Sequence, residues 1–146
     1  GPAELGLLVD LYRRTDSEQE RLNVLEALGC LPTRPLLQEA LELALAEVPS
    51  RNRYIPVAAA AGNPRSFDWM WEWWQAHLGQ LERLHRMHQE RIIAAIVPHV
   101  RDDRAAEVAD ELTAYTRRRP GLAQTAVLSL ERLAINGRMR AAAAPG

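Results

Sequence analysis

Helix-start signals recur along this chain near residues 3, 33, 63 and 102, and nothing between them reads as a strand. Apolar residues return at the helical spacing of three and four, not at the alternate positions a half-buried strand requires. Leu5, Leu8, Val9 and Tyr12 form the first such stripe, which stops at Thr15-Asp16. Ser17-Glu18-Gln19-Glu20 then offers the hydroxyl and carboxylate of a capping box, followed by Leu22, Leu25 and Leu28. Gly29 is expected to close that helix in the left-handed conformation.

Thr33 is the next expected N-cap, with Pro35 in the first turn, and its helix ends at Pro49-Ser50. An alanine-rich helix from Tyr54 to Ala61 accommodates Pro56 because the first turn needs no donor there. Asn63-Pro64 reads as cap and first residue of a long helix reaching about Arg83. Further helices are expected over about Met87–Val97, from Asp102 or Asp103 to Arg118, and from Pro120 to about Asn136. The closing Ala-Ala-Ala-Ala-Pro-Gly is expected to fray. The pattern is all-α, about eight helices in four antiparallel pairs, a period that suits an α-solenoid of stacked hairpins. A globular helix bundle is the competing arrangement.

Several function classes drop out on composition. The 146 residues suit one domain, and no apolar run is long enough to span a bilayer. Eighteen basic residues face nineteen acidic ones, a net charge of -1, which lacks the basic excess expected for nucleic-acid binding. All eighteen are arginine. The acidic surplus sits in residues 1–50, where four Arg meet nine Asp and Glu. A single cysteine, Cys30, forms no internal disulfide, which fits a reducing compartment and an expected cytoplasmic location. Gly1-Pro2 reads as a protease-cleavage scar, so residues 1–146 are expected to be one helical domain excised from a larger protein.

All four tryptophans lie in Trp69-Met70-Trp71-Glu72-Trp73-Trp74. Phe67, Met70, Trp71, Trp74, Leu78 and Leu81 share one stripe and are expected in the core. Trp69 and Trp73 lie on another side of the same helix and are expected to be less buried. They pack against a second neighbouring helix, or else they meet another domain, since tryptophan is enriched where surfaces join.

His85 and His88 are three apart and invite a metal reading. The hydrolytic zinc motif needs glutamate beside the first histidine as general base, and Arg86 stands there instead. Solvated histidines at a helix junction are the expectation. Arg117-Arg118-Arg119 suits the carbonyl end of a helix. No nucleophile–base grouping or phosphate loop is present, so no catalytic or metal-binding residue is assigned in this chain.

The stretch Asn63-Pro64-Arg65-Ser66-Phe67-Asp68-Trp69-Met70-Trp71-Glu72-Trp73-Trp74-Gln75-Ala76-His77-Leu78 resembles the C-terminal helical domain of the aminopeptidase N-like zinc peptidases. That group includes the puromycin-sensitive and endoplasmic-reticulum aminopeptidases. Trp71 falls on the family's first tryptophan, and Leu78 replaces its second. Glu20 to Gly29 looks like the segment before the family's Leu-Gly turn, and Leu130-Glu131-Arg132-Leu133 with Asn136 looks like its closing helix. Arg51-Asn52-Arg53 stands where members often have Arg-x-Gln-Asp, and only Arg51 matches.

The resemblance implies part of a HEAT-like C-terminal domain that caps a catalytic domain and bounds its peptide cavity. It implies that the zinc ion and its ligands belong to that upstream domain of the same polypeptide, and that the partners are this domain and a peptide substrate. Under it, Trp69, Trp73, Arg51 and Arg53 are the candidate interdomain or peptide-facing contacts. A free-standing HEAT-like protein–protein interaction module is the alternative.

Overall fold

A computed structural model describes residues 2–145. Among them the elements are α1 (Pro2–Arg14), α2 (Glu18–Leu28), α3 (Arg34–Glu47), α4 (Tyr54–Ala61), α5 (Phe67–Ala76), the single turn α6 (Leu78–Leu81), α7 (Arg86–Ile96), α8 (Ala105–Arg118) and α9 (Ala123–Ala143). Short 3₁₀ turns occupy Ser50–Asn52, Val97–His99, Asp102–Arg104 and Pro120–Leu122. The described residues contain no strand.

Local chemistry accounts for most boundaries. The Ser17 hydroxyl accepts from the Glu20 N–H at 3.2 Å, and Thr33 Oγ1 accepts from the Leu36 N–H at 3.4 Å. Helix α4 keeps Pro56 in its first turn, as the missing donor requires.

Each of α1, α3, α5 and α8 packs on a following helix: α1 on α2, α3 on α4, α5 on α7, α8 on α9. The second members also touch one another in chain order, α2 to α4, α4 to α7 and α7 to α9. One core runs between the two rows, and Leu25, Leu41, Val57, Trp71, Ile93 and Leu112 lie within it almost without solvent contact. Small residues set the closest approaches. Ala40, Ala44, Ala60 and Ala61 are buried where larger side chains would hold the helices apart.

The structure departs from the sequence expectations in four places. Gly29 is right-handed, with φ at −75°, so it is not glycine for the sake of a left-handed turn. Its missing side chain instead admits α4, whose Pro56 carbonyl and Ala59 methyl press against it. Asn63-Pro64 forms a turn rather than a helix start: the Asn63 Oδ1 accepts from the Arg65 N–H at 3.0 Å, and α5 begins only at Phe67. The buried Ser66 hydroxyl donates to the Ala60 carbonyl and ties this turn back to α4.

The third departure is a break in the tryptophan helix. His77 adopts φ −112°, ψ 14°, its N–H is shared by the carbonyls of Trp73 and Trp74, and its ring Nδ1 lies 2.8 Å from the Trp73 carbonyl. The Trp73 carbonyl thus faces both the His77 N–H and the His77 ring nitrogen where α5 ends. Finally, the alanine tail is helical through Ala143. Alanine is the best helix former, and two residues bonded to other elements hold the last turns: Asn136 Nδ2 donates to the Pro98 carbonyl at 3.1 Å, and Arg140 grips Asp102 at 2.6 and 3.1 Å.

Candidate functional site

Helix α5 brings the aromatic cluster to two neighbours at once. Trp71 and Trp74 stack at 4.9 Å, and Tyr115 of α8 meets Trp74 edge-on at 5.2 Å. The expected contrast between faces is absent. Trp69 and Trp73 are 7% and 3% exposed, against 2% and 5% for Trp71 and Trp74. The reason is tertiary: α3 covers the side of α5 that a lone amphipathic helix would leave to water.

What remains open there is a groove of 190 Å³ between α3 and α5, lined by Arg34, Gln38, Trp69, Glu72, Trp73, Ala76 and His77. The Arg34 guanidinium lies over the Trp69 ring, 5.1 Å from its centroid, and 3.8 Å from Glu72. Glu72 is also held by Arg104 at 2.8 Å, so an arginine from each flanking element converges on one carboxylate. The Trp73 indole stacks on His77 at 4.5 Å, and its buried Nε1 has no hydrogen-bond acceptor, nor does that of Trp71. Buried donors without acceptors are uncommon.

The other candidates from the sequence separate. Arg51 is exposed on the 3₁₀ turn before α4. Arg53 turns inward and donates to the Val48 carbonyl at 2.6 Å, which fastens the end of α3 to the start of α4.

Each histidine has local work. His85 caps α7, its Nδ1 accepting from the Met87 N–H at 3.1 Å. His88 stacks on Tyr54 at 4.5 Å, and His99 stacks on Phe67 at 4.2 Å. Burial lowers the pKa of His88, assisted by His85 and Arg91, and burial with help from Arg140 lowers that of His99. Among the described residues no group of three or more His, Cys, Asp or Glu could hold a metal ion, and no helix is long and apolar enough to cross a membrane. Arg86 beside His85 and the stacking of His88 on Tyr54 do not fit a zinc site of the His-Glu-x-x-His kind.

A wider groove than the α3–α5 one lies elsewhere, at residues the sequence did not single out as site candidates. A groove of 720 Å³ runs between α7 and α9, lined by exposed Met87, Ala94, Leu128 and Ile135, by buried Pro98 and Ser129, and by Glu90, Arg91, Glu131 and Arg132. Met87 and Leu128 are 54% and 56% exposed. Arg91 is held by Tyr54, donating to its hydroxyl at 3.0 Å, and Glu90 by Arg86 at 3.3 Å.

This two-row helical domain matches the ERAP1-like C-terminal domain family over residues 1–135. The chain belongs to that family. Aminopeptidase M1 of Arabidopsis thaliana is 30% identical over 132 residues, which cover 88% of this chain and 15% of that protein. The chain therefore spans less than a fifth of the length of the curated relative it matches. No solved structure matches it at significance. Within this ERAP1-like domain, both grooves fall in the matched stretch, and the last turns of α9 extend beyond it.

Proposed function

We propose that this ERAP1-like domain is the non-catalytic C-terminal part of a zinc aminopeptidase, packing on the catalytic part of the same polypeptide and shaping how peptides reach it. The observation that carries the reading is the family match over residues 1–135, set beside a named aminopeptidase of which the matched region is only 15%. The zinc ion belongs to the catalytic part, and the pairs of helices here form a HEAT-like solenoid segment against which that part rests.

The contact is placed at the α3–α5 groove. Trp69 and Trp73 form its buried floor, while Arg34 and Glu72 supply fixed charges that orient a partner. Arg51, exposed beside the start of α4, is the outlying contact for a carboxylate of the partner or of a peptide. Arg53 acts by holding that turn in shape.

The test supplies the catalytic region of the same polypeptide as a separate fragment and mixes it with this chain. Binding by calorimetry, together with a changed preference for peptide length, is the expected result, weakened by Arg34→Ala. A catalytic fragment that neither binds the chain nor changes its kinetics would favour a free-standing helical interaction module instead.

A further inference from the structure

We propose that the α3–α5 groove receives one acidic side chain, Asp or Glu, of the catalytic part, clasped by Arg34. The inference rests on the reading of that groove as the contact and adds the chemistry of what fills it. Arg34 is held at the groove by the Trp69 ring beneath it, 5.1 Å from the centroid. Its side chain is more than half exposed, and among the described residues its guanidinium donates no hydrogen bond. Its ionic contact with Glu72, at 3.8 Å, is longer than a hydrogen bond. Glu72 is better served by Arg104, which donates to it at 2.8 Å. Glu72 therefore keeps a partner when Arg34 turns to a second carboxylate.

Hydrogen-bond demand selects the occupant. Trp73, only 3% exposed, lines the groove with an indole N–H that has no acceptor. Among the described residues the Trp69 indole and the exposed Gln38 amide donate to nothing either. The groove is thus rich in donors, while its one carboxylate is already engaged and His77 Nδ1 is turned to the Trp73 carbonyl. An incoming carboxylate brings the acceptors that are missing, and the planar guanidinium of Arg34 matches its two oxygens. An incoming ammonium would face Arg34 and leave the indoles unmet. Size selects the source. At 190 Å³ the groove is smaller than the roughly 300–1,000 Å³ of sites that enclose small molecules, and suits a single side chain presented by a packed neighbour.

The acid is located in the whole polypeptide by placing the photocrosslinking residue benzoylphenylalanine at Gln38 and mapping the linked segment by mass spectrometry. Its strength is read by calorimetry between this chain and the catalytic fragment, with helicity checked by circular dichroism. The linked segment should contain an Asp or Glu. Arg34→Glu should weaken binding by about tenfold or more, and Arg34→Lys, which keeps the charge and loses the fork, by about threefold. Exchanging the linked acid for Arg should weaken binding as much as Arg34→Glu does, and the two reversals together should restore it. A linked segment without an acid, unchanged binding by Arg34→Glu, or reversals that fail to restore each overturns the inference and leaves the catalytic contact itself standing. If Arg34→Glu binds normally but raises KM for long peptides in the whole polypeptide, the carboxylate is the terminus of the peptide and the side-chain source is excluded. A wild-type chain that shows neither binding nor a crosslink removes the contact and this inference together.

Discussion

Gly29, which caps the end of α2, sits so close to Ala59 of α4 that a β-carbon on Gly29 would lie 2.6 Å from the Ala59 methyl and 2.9 Å from the Ala60 nitrogen. No real β-carbon tolerates such spacing, and two of its three neighbours are backbone, which cannot rotate away. Gly29→Ala should therefore force α2 and α4 apart and cost about 1–3 kcal/mol in urea unfolding. Gly6 of α1 is the control, since a β-carbon there meets nothing within 4 Å. Gly6→Ala should gain about 0.5–1 kcal/mol from helix propensity alone.

Trp71 is 2% exposed and stacked on Trp74, in a core whose neighbours are themselves packed. Trp71→Ala should cost about 3–5 kcal/mol, the range for removing a large buried ring. Because Trp73 is equally enclosed, Trp73→Ala should fall in the same range, roughly 3–5 kcal/mol. A loss at Trp73 of well under half that at Trp71, measured in the same urea series, would contradict the packing of α5 against α3.

His99, stacked on Phe67, has its pKa lowered chiefly by burial and secondarily by Arg140. A histidine of depressed pKa takes up its proton more readily unfolded than folded, so stability is full above the ordinary value of about 6.5 and declines as pH falls below it. His88, lowered mainly by burial, acts in the same direction. The melting temperature should drop between pH 7 and pH 5. His99→Phe, which keeps an aromatic ring on Phe67, should flatten that slope.

Tyr115 donates its hydroxyl to Glu82 at 3.2 Å, and the same carboxylate pairs with Arg119 at 3.1 Å. Arg119 donates in turn to the buried Gln89, whose amide reaches the Leu84 carbonyl at 2.7 Å. This chain of bonds ties the segment before α7 to the end of α8. Burial, with the Glu82 charge beside it, pushes the Tyr115 phenol up to about 12. A raised phenol pKa stabilises the fold fully below its unfolded value near 10 and loses that contribution as pH rises towards 12. Tyr115→Phe should cost about 0.5–1.5 kcal/mol at neutral pH in thermal melts and weaken the alkaline decline.

The caps at Ser17 and Thr33, and the limits of α4, could be read from the chain because each depends on atoms a few residues apart. The break at His77 could not: it needs an imidazole turned back onto the Trp73 carbonyl, a choice residue spacing does not encode. For Trp69 and Trp73 the sequence offered a second neighbouring helix as one of two readings, but the depth of their burial was not legible, since it depends on where α3 comes to lie. The α7–α9 groove left a partial trace. Leu128, Ile135 and Met139 recur at helical spacing away from the buried stripe of α9, so that helix carries more apolar surface than one neighbour uses. Met87, on the opposite wall, lies some forty residues upstream, and only the fold brings it into place.

The clasp between Arg140 and Asp102 has a practical meaning for anyone choosing where to cut the gene. The family match stops at residue 135, one position before Asn136 and its bond to the Pro98 carbonyl. A boundary drawn there by similarity would sever α9 mid-helix, discard both tethers and uncover the turn that carries Pro98 and His99. The packed helix is longer than the recognisable stretch, and an expression clone ending at 135 should melt below one that keeps Asn136 and Arg140.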